Sequence, residues 1–125
     1  MHRDSNRPRR VGELLKRQLV PVIAQELNDP DVGAITLTGV DTAPDLKSAK
    51  VYFTCPQDGD DQKRSRVIEA ALNRAAGYIR HCLKERVELR GIPRLQFKYD
   101  DSIERGSRIE QLLSDAMSDS PRNKD

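Results

Sequence analysis

Three groups of side chains in this chain have the types that chemistry requires, and their spacing decides what each can do. His81 and Cys82 could serve as base and nucleophile. That chemistry needs the ring within hydrogen-bond reach of the thiol and a third group to orient it. Adjacent residues on a helix point about a quarter-turn apart. In the helical pattern here, Cys82 joins the apolar face as a buried free thiol and His81 faces solvent. Asp58, Asp60 and Asp61 around Gly59 carry the charge of a calcium site. They lack the alternating ligand spacing and closing Glu of an EF-hand loop, so a solvated acidic turn is expected. Asp100 and Asp101 could act as a general acid–base pair, but the end of a strand and the cap of the following helix account for both. His2 stands alone near the start, and the chain has no Gly-rich phosphate loop. The expectation is a non-enzymatic protein with no catalytic residue, no bound metal, no cofactor and no small-molecule ligand.

The remaining chemistry is cationic. Lys63, Arg66, Arg74, Arg80 and Lys84 flank Ala75-Ala76-Gly77, where small residues let a partner's backbone come close. The net charge of +2 conceals how these cations are placed. Residues 1–10 hold Arg3, Arg7, Arg9 and Arg10 against Asp4. Residues 28–61 are acidic, with seven Asp against Lys47 and Lys50. Residues 62–98 carry ten Lys and Arg against Glu69, Glu85 and Glu88. A one-sided basic field is the footprint expected for a polyanion. Aromatics are scarce, at 4%, with Tyr78 alone near the basic set, which favours recognition of backbone and shape over reading of bases. Two alternatives remain from the residues: an adaptor for an acidic protein surface, and a small RNA-processing nuclease. The nuclease would need a metal or acid–base constellation that the spacing does not supply.

These side chains must be held by elements whose period is legible. A first helix from near Val11 to about Leu27 turns Val11, Leu14, Leu15, Leu19, Val22 and Ile23 inward. Pro21 within it predicts a kink or an early stop. Ala34–Val40 and Ala49–Thr54 read as neighbouring antiparallel strands. Ile68, Ala71, Leu72, Ala75, Ile79, Cys82 and Leu83 mark the buried face of a helical region that periodicity alone would run straight to about Leu89. Gly91-Ile92-Pro93 then turns the chain into a strand with Leu95, Phe97 and Tyr99 on one face. Asp101 and Glu104 have the spacing of a capping box for a last helix to about Ala116, with Ile103, Ile109, Leu112 and Leu113 inward.

The order α-β-β-α-α-β-α, with three strands and helices on one face, predicts a single two-layer α+β domain. At 125 residues one domain is expected: a basic flexible arm over 1–10, the domain over 11–116 and a polar flexible tail over 117–125. Cys55 and Cys82 define no disulfide framework or metal spacing. No apolar run approaches a membrane span, and the polar start is not a secretory leader, so a cytoplasmic protein is expected.

The joint order of several stretches makes a specific comparison. Arg9-Arg10-Val11, Asn28-Asp29-Pro30, Val40 through Asp45-Leu46 to Ala49-Lys50-Val51-Tyr52, Ala75-Ala76-Gly77-Tyr78-Ile79-Arg80, Leu89 through Phe97, and Asp100-Asp101-Ser102-Ile103 together resemble the bacterial ribosome-binding factor A family. The resemblance covers nearly the whole chain. It implies a type II KH-like domain in which Ala75 and Gly77 form a helix kink in place of the usual Gly-x-x-Gly loop. It also implies a monomeric assembly factor that binds 16S rRNA in the free small (30S) ribosomal subunit, assists late maturation and rRNA processing, and supports growth in the cold. Arg80 matches the family's basic position after the kink, and Arg7, Arg9 and Arg10 would add RNA contacts. Pro21 and the short tail depart from the pattern.

Overall fold

The computed structural model describes residues 6–56 and 62–118, and the chain forms its elements in the expected order. They are α1 (Arg7–Glu26), β1 (Thr36–Thr42), β2 (Ser48–Thr54), α2 (Lys63–Arg74), α3 (Ala76–Lys84), β3 (Arg94–Tyr99) and α4 (Ser102–Ser118). His2, Arg3, the Asp58–Asp61 cluster and the last seven residues of the tail lie outside the described residues.

Helix α1 starts four residues before the expected Val11, so Arg7, Arg9 and Arg10 are helical. Pro8 explains this, because proline in a first turn loses only an amide that has no intrahelical partner. Nor does Pro21 stop the helix, which continues to Glu26. An interior proline costs roughly 3 kcal/mol. Leu19, Val22 and Ile23 around it are buried, and each such side chain contributes about 1.5–3 kcal/mol, which offsets the loss. Gly12 lies on the same buried stripe. A Cβ there would stand 2.8 Å from the Val40 carbonyl oxygen and 3.2 Å from the Thr42 hydroxyl, so the α1 backbone rests directly on β1.

The sheet runs β1-β2-β3, with β1 antiparallel and β3 parallel to β2. Ala49, Val51 and Phe53 of β2 and Leu95 and Phe97 of β3 all turn to the helices, as strict alternation requires. Strand β1 departs from that period. A bulge between Leu37 and Gly39 leaves Thr38 without a partner in the register. The extra residue keeps Leu37, Val40 and Thr42 opposite Phe53, Val51 and Ala49, so one face remains apolar despite a three-residue step. Lys50, Tyr52, Gln96 and Lys98 occupy the other face.

Helices α2 and α3 pass beside β3, and α2 covers its open edge. Asn73 accepts from the Phe97 amide at 2.8 Å and donates to the Phe97 carbonyl at 2.9 Å. The Tyr99 amide donates to the Glu69 carboxylate at 2.8 Å. Two polar side chains thus satisfy an edge that would otherwise invite another strand.

Helix α4 corrects the sequence reading. Ile103, Ile109, Leu112 and Leu113, expected inward, are 57–71% exposed, and α4 buries no residue. Its period marks an apolar face, but α1, α2 and α3 already cover the inner face of the sheet. Its first turn is secured by side chains. Asp100, not Asp101, caps it by accepting from the Ser102 amide at 2.9 Å, while Glu104 receives the Tyr99 hydroxyl instead of closing a capping box. The helix runs through Ser118, the last described residue and two past the expected Ala116.

Candidate nucleic-acid interface

The helical region breaks at Ala75, which ends α2 and begins α3 with φ −91° and ψ 2°. Its amide is shared between the Ala71 and Leu72 carbonyls at 3.1 Å each, and its own carbonyl accepts from the Ile79 amide. Sequence periodicity tolerated a straight helix through this point to about Leu89. The structure has the kink, and α3 stops at Lys84. Gly77 lies in the first turn of α3 without a positive φ, and a Cβ there would meet nothing within 4 Å. The fold therefore makes no demand for glycine at position 77. What its absence of side chain provides is bare backbone open to solvent beside the kink.

On α3, Gly77, His81 and Lys84 share one exposed side at helical spacing, opposite the buried Ile79 and Leu83. On α2, Lys63, Arg66 and Arg74 are exposed. Arg74 lies 3.7 Å from the Asp31 carboxylate, with side chains 63% and 55% exposed. A pair so open to water contributes at most about 1 kcal/mol, so Arg74 can leave it for a phosphate.

Arg80 behaves differently. It is half-buried, and its Nε donates to the Ile92 carbonyl at 2.8 Å, which ties α3 to the Gly-Ile-Pro turn. Arg7 lines the same concavity, as do Lys47, Arg90 and Arg94, none of which sequence reasoning singled out. Their positions are scattered along the chain, and only the folded β1–β2 turn, the start of α1 and the approach to β3 bring them together. Arg9 and Arg10 lie apart, in a shallow groove with Glu13 and Arg17. The ten expected contact residues thus fall on three surfaces: the α2–kink–α3 face with Lys63, Arg66, Arg74, Ala75, Gly77 and Lys84, the Arg7–Arg80 cleft, and the Arg9–Arg10 groove.

The sites considered for catalysis resolve into structural roles. Cys82 is a free, half-buried thiol whose hydrogen bond with Tyr78 holds that hydroxyl above the usual phenol range. The Thr38 hydroxyl, donating at 2.6 Å, and then the Ser102 amide hold the Asp100 carboxyl below the usual carboxylate range, the opposite of what a general acid requires. Asp101 pairs with Arg105 at 2.8 Å. Among the described residues, no group of three or more His, Cys, Asp and Glu side chains is placed to hold a metal ion. No described helix is long and apolar enough to cross a membrane.

Comparison with known proteins gives matches over most of the chain. The family model for ribosome-binding factor A matches residues 7–113. A ribosome-binding factor A of Nitrosococcus oceani is 48% identical over 117 residues, covering 94% of this chain and 90% of that protein. The crystal structure of ribosome-binding factor A from Thermus thermophilus superposes with a TM-score of 0.63 at 28% identity, over 74% of this chain and 93% of that one. A homology model of the Thermus thermophilus factor, fitted into a cryo-EM map of its complex with 30S, gives 0.55 at 29% identity, over 72% and 91%.

Proposed function

The chain belongs to the ribosome-binding factor A family, and from that premise we propose that it binds the free small (30S) ribosomal subunit through its 16S rRNA. The single observation that carries this reading is the family match across 7–113, which spans every element that builds the basic surfaces. The Thermus factor's fitted complex with 30S supports the choice of partner. In this reading the exposed cations of α2 and α3 neutralise phosphates along folded RNA, and the bare backbone at Gly77 admits close approach. Binding holds an immature RNA conformation and ends as the subunit matures, which requires higher affinity for the immature state. The protein thereby assists late maturation and rRNA processing, and it supports growth in the cold, where misfolded RNA is slow to escape. It acts as a cytoplasmic monomer without a cofactor and makes or breaks no covalent bond.

The test is co-sedimentation of purified protein with free small subunits. Because Arg80 holds the Ile92 carbonyl, its reversal would disturb the fold, so the informative variant is Lys63→Glu/Arg66→Glu/Lys84→Glu. The native protein should co-sediment, and the variant should bind at least about tenfold more weakly while retaining its unfolding midpoint, with a shallower salt dependence by roughly one unit of slope per lost cation. Undiminished binding by the variant, or none by the native protein, would contradict the reading.

A further inference from the structure

The cleft around Arg80 has a construction that a general basic face does not. It is a concavity of about 520 Å³ at the end of the domain where β2 and β3 begin. Among the described residues its rim carries Arg7, Lys47, Arg80, Arg90 and Arg94 against the single carboxylate of Asp45. One Asp45 oxygen already accepts from the Lys47 amide at 3.0 Å. Lys47, Arg90 and Arg94 form no ion pair among the described residues. The first turn of helix α1, which brings Arg7 to the rim, carries no acidic residue.

The floor is apolar. Ile92 and Pro93 are buried, and Leu46 closes one side. Leu46 holds φ 63°, a left-handed conformation that leucine rarely adopts. Its amide donates to the Ala43 carbonyl at 2.9 Å, and the Arg94 amide donates to the Lys47 carbonyl at 2.9 Å. The turn is thereby locked to the start of β3, and the strained backbone keeps an apolar side chain where glycine would leave a gap.

We infer that this cleft seats one unstacked nucleotide of a single-stranded RNA segment, with its sugar and base over the half-buried Leu46 and Leu89, which rest on Ile92 and Pro93, and its flanking phosphates on the cationic rim. A free phosphate would use the rim and leave the floor uncovered. An RNA duplex presents a convex surface whose bases are stacked inside it and cannot enter a recess of this size. Among the described residues no aromatic ring lines the cleft, so contact with the base comes from aliphatic groups and guanidinium planes, and binding tolerates different bases. This second contact deepens the ribosomal-RNA reading and rests on it only for the identity of the RNA.

The test uses the full-length, isotope-labelled chain and follows its amide resonances during titration with a short oligouridylate. Parallel titrations use a short RNA duplex and inorganic phosphate. Shifts should concentrate at Leu46, Lys47, Ile92 and Arg94 with the single strand. Neither the duplex nor phosphate should reproduce them at the same concentration. Lys47→Glu/Arg94→Glu should lower oligouridylate affinity at least about tenfold, as expected for two lost phosphate contacts. Lys63→Glu/Arg66→Glu should leave the cleft shifts in place. Arg90→Glu, on an exposed turn, provides the same comparison should the double variant fail to fold. Shifts confined to α2 and α3, equal effects of duplex or phosphate, or unchanged affinity in the cleft variants would each overturn the inference. Subunit co-sedimentation separates the two readings. Oligouridylate in the cleft without subunit binding would uphold the cleft and remove the ribosomal partner. Subunit binding with a silent cleft would do the reverse.

Discussion

The outer side of α2 and the cleft around Arg80 are both basic, yet their charges are held in different ways. Arg66 and Arg74 stand on a helix surface in water, and the acidic neighbour of Arg74 is itself exposed. Their field is screened over about 8 Å at physiological salt, so they contribute attraction and little geometry. Arg80 is aimed by a carbonyl 12 residues away in sequence, over a floor of buried apolar groups. Its guanidinium is thereby held in one place at the rim of the cleft. The comparison teaches that residue type alone does not rank cations as binding groups; what holds the side chain decides whether it steers a polyanion or positions it.

Three substitutions break or sharpen this comparison. The largest effect is expected from Gly12→Ala. The new methyl group meets the Val40 carbonyl, so α1 must lift from β1 and take Arg7 with it. A loss of about 1–3 kcal/mol in denaturant unfolding is expected, with weaker binding in the cleft and an unaltered response of α2. Arg80→Ala should come next. It leaves the Ile92 carbonyl without its donor at a part-buried position, at a cost of about 1–2 kcal/mol, and it removes one rim cation. Thermal unfolding and the oligouridylate titration measure the two parts separately. If stability is untouched while RNA affinity falls, Arg80 has no positioning role in the free protein. Smallest is Gly77→Ala, where nothing opposes a methyl group and helix propensity favours alanine by up to about 1 kcal/mol. The variant should be slightly more stable and bind small subunits more weakly. Equal binding would show that RNA does not use the bare backbone at the kink.

Much of the fold was legible because it follows local period. The two-residue alternation of Leu95, Phe97 and Tyr99 and the helical spacing of Leu15, Leu19 and Val22 name their own elements. What escaped depends on partners distant in sequence. Nothing near Ile109 or Leu112 tells whether a surface remains for them to cover, and here none does. Pro8 reads as a breaker unless the helix is known to start beside it. The bulge at Thr38 becomes visible only against the register of β2. The break at Ala75 came from family resemblance, since the apolar period passes through it undisturbed. For the interface, the basic character of 62–98 was plain, but the cleft was not. Arg7, Lys47 and Arg94 come from three separate stretches, and one of them lies in a segment that is acidic on balance. Asn73 and Glu69, which close the edge of β3, look in sequence like ordinary surface residues of an amphipathic helix.

The most direct test of ribosomal binding is sedimentation of a cell extract, with the chain detected across the gradient. Association with free small subunits, reduced when salt is raised, is the expected result. A chain that travels with translating ribosomes, or remains at the top of the gradient away from all ribosomal particles, would contradict it.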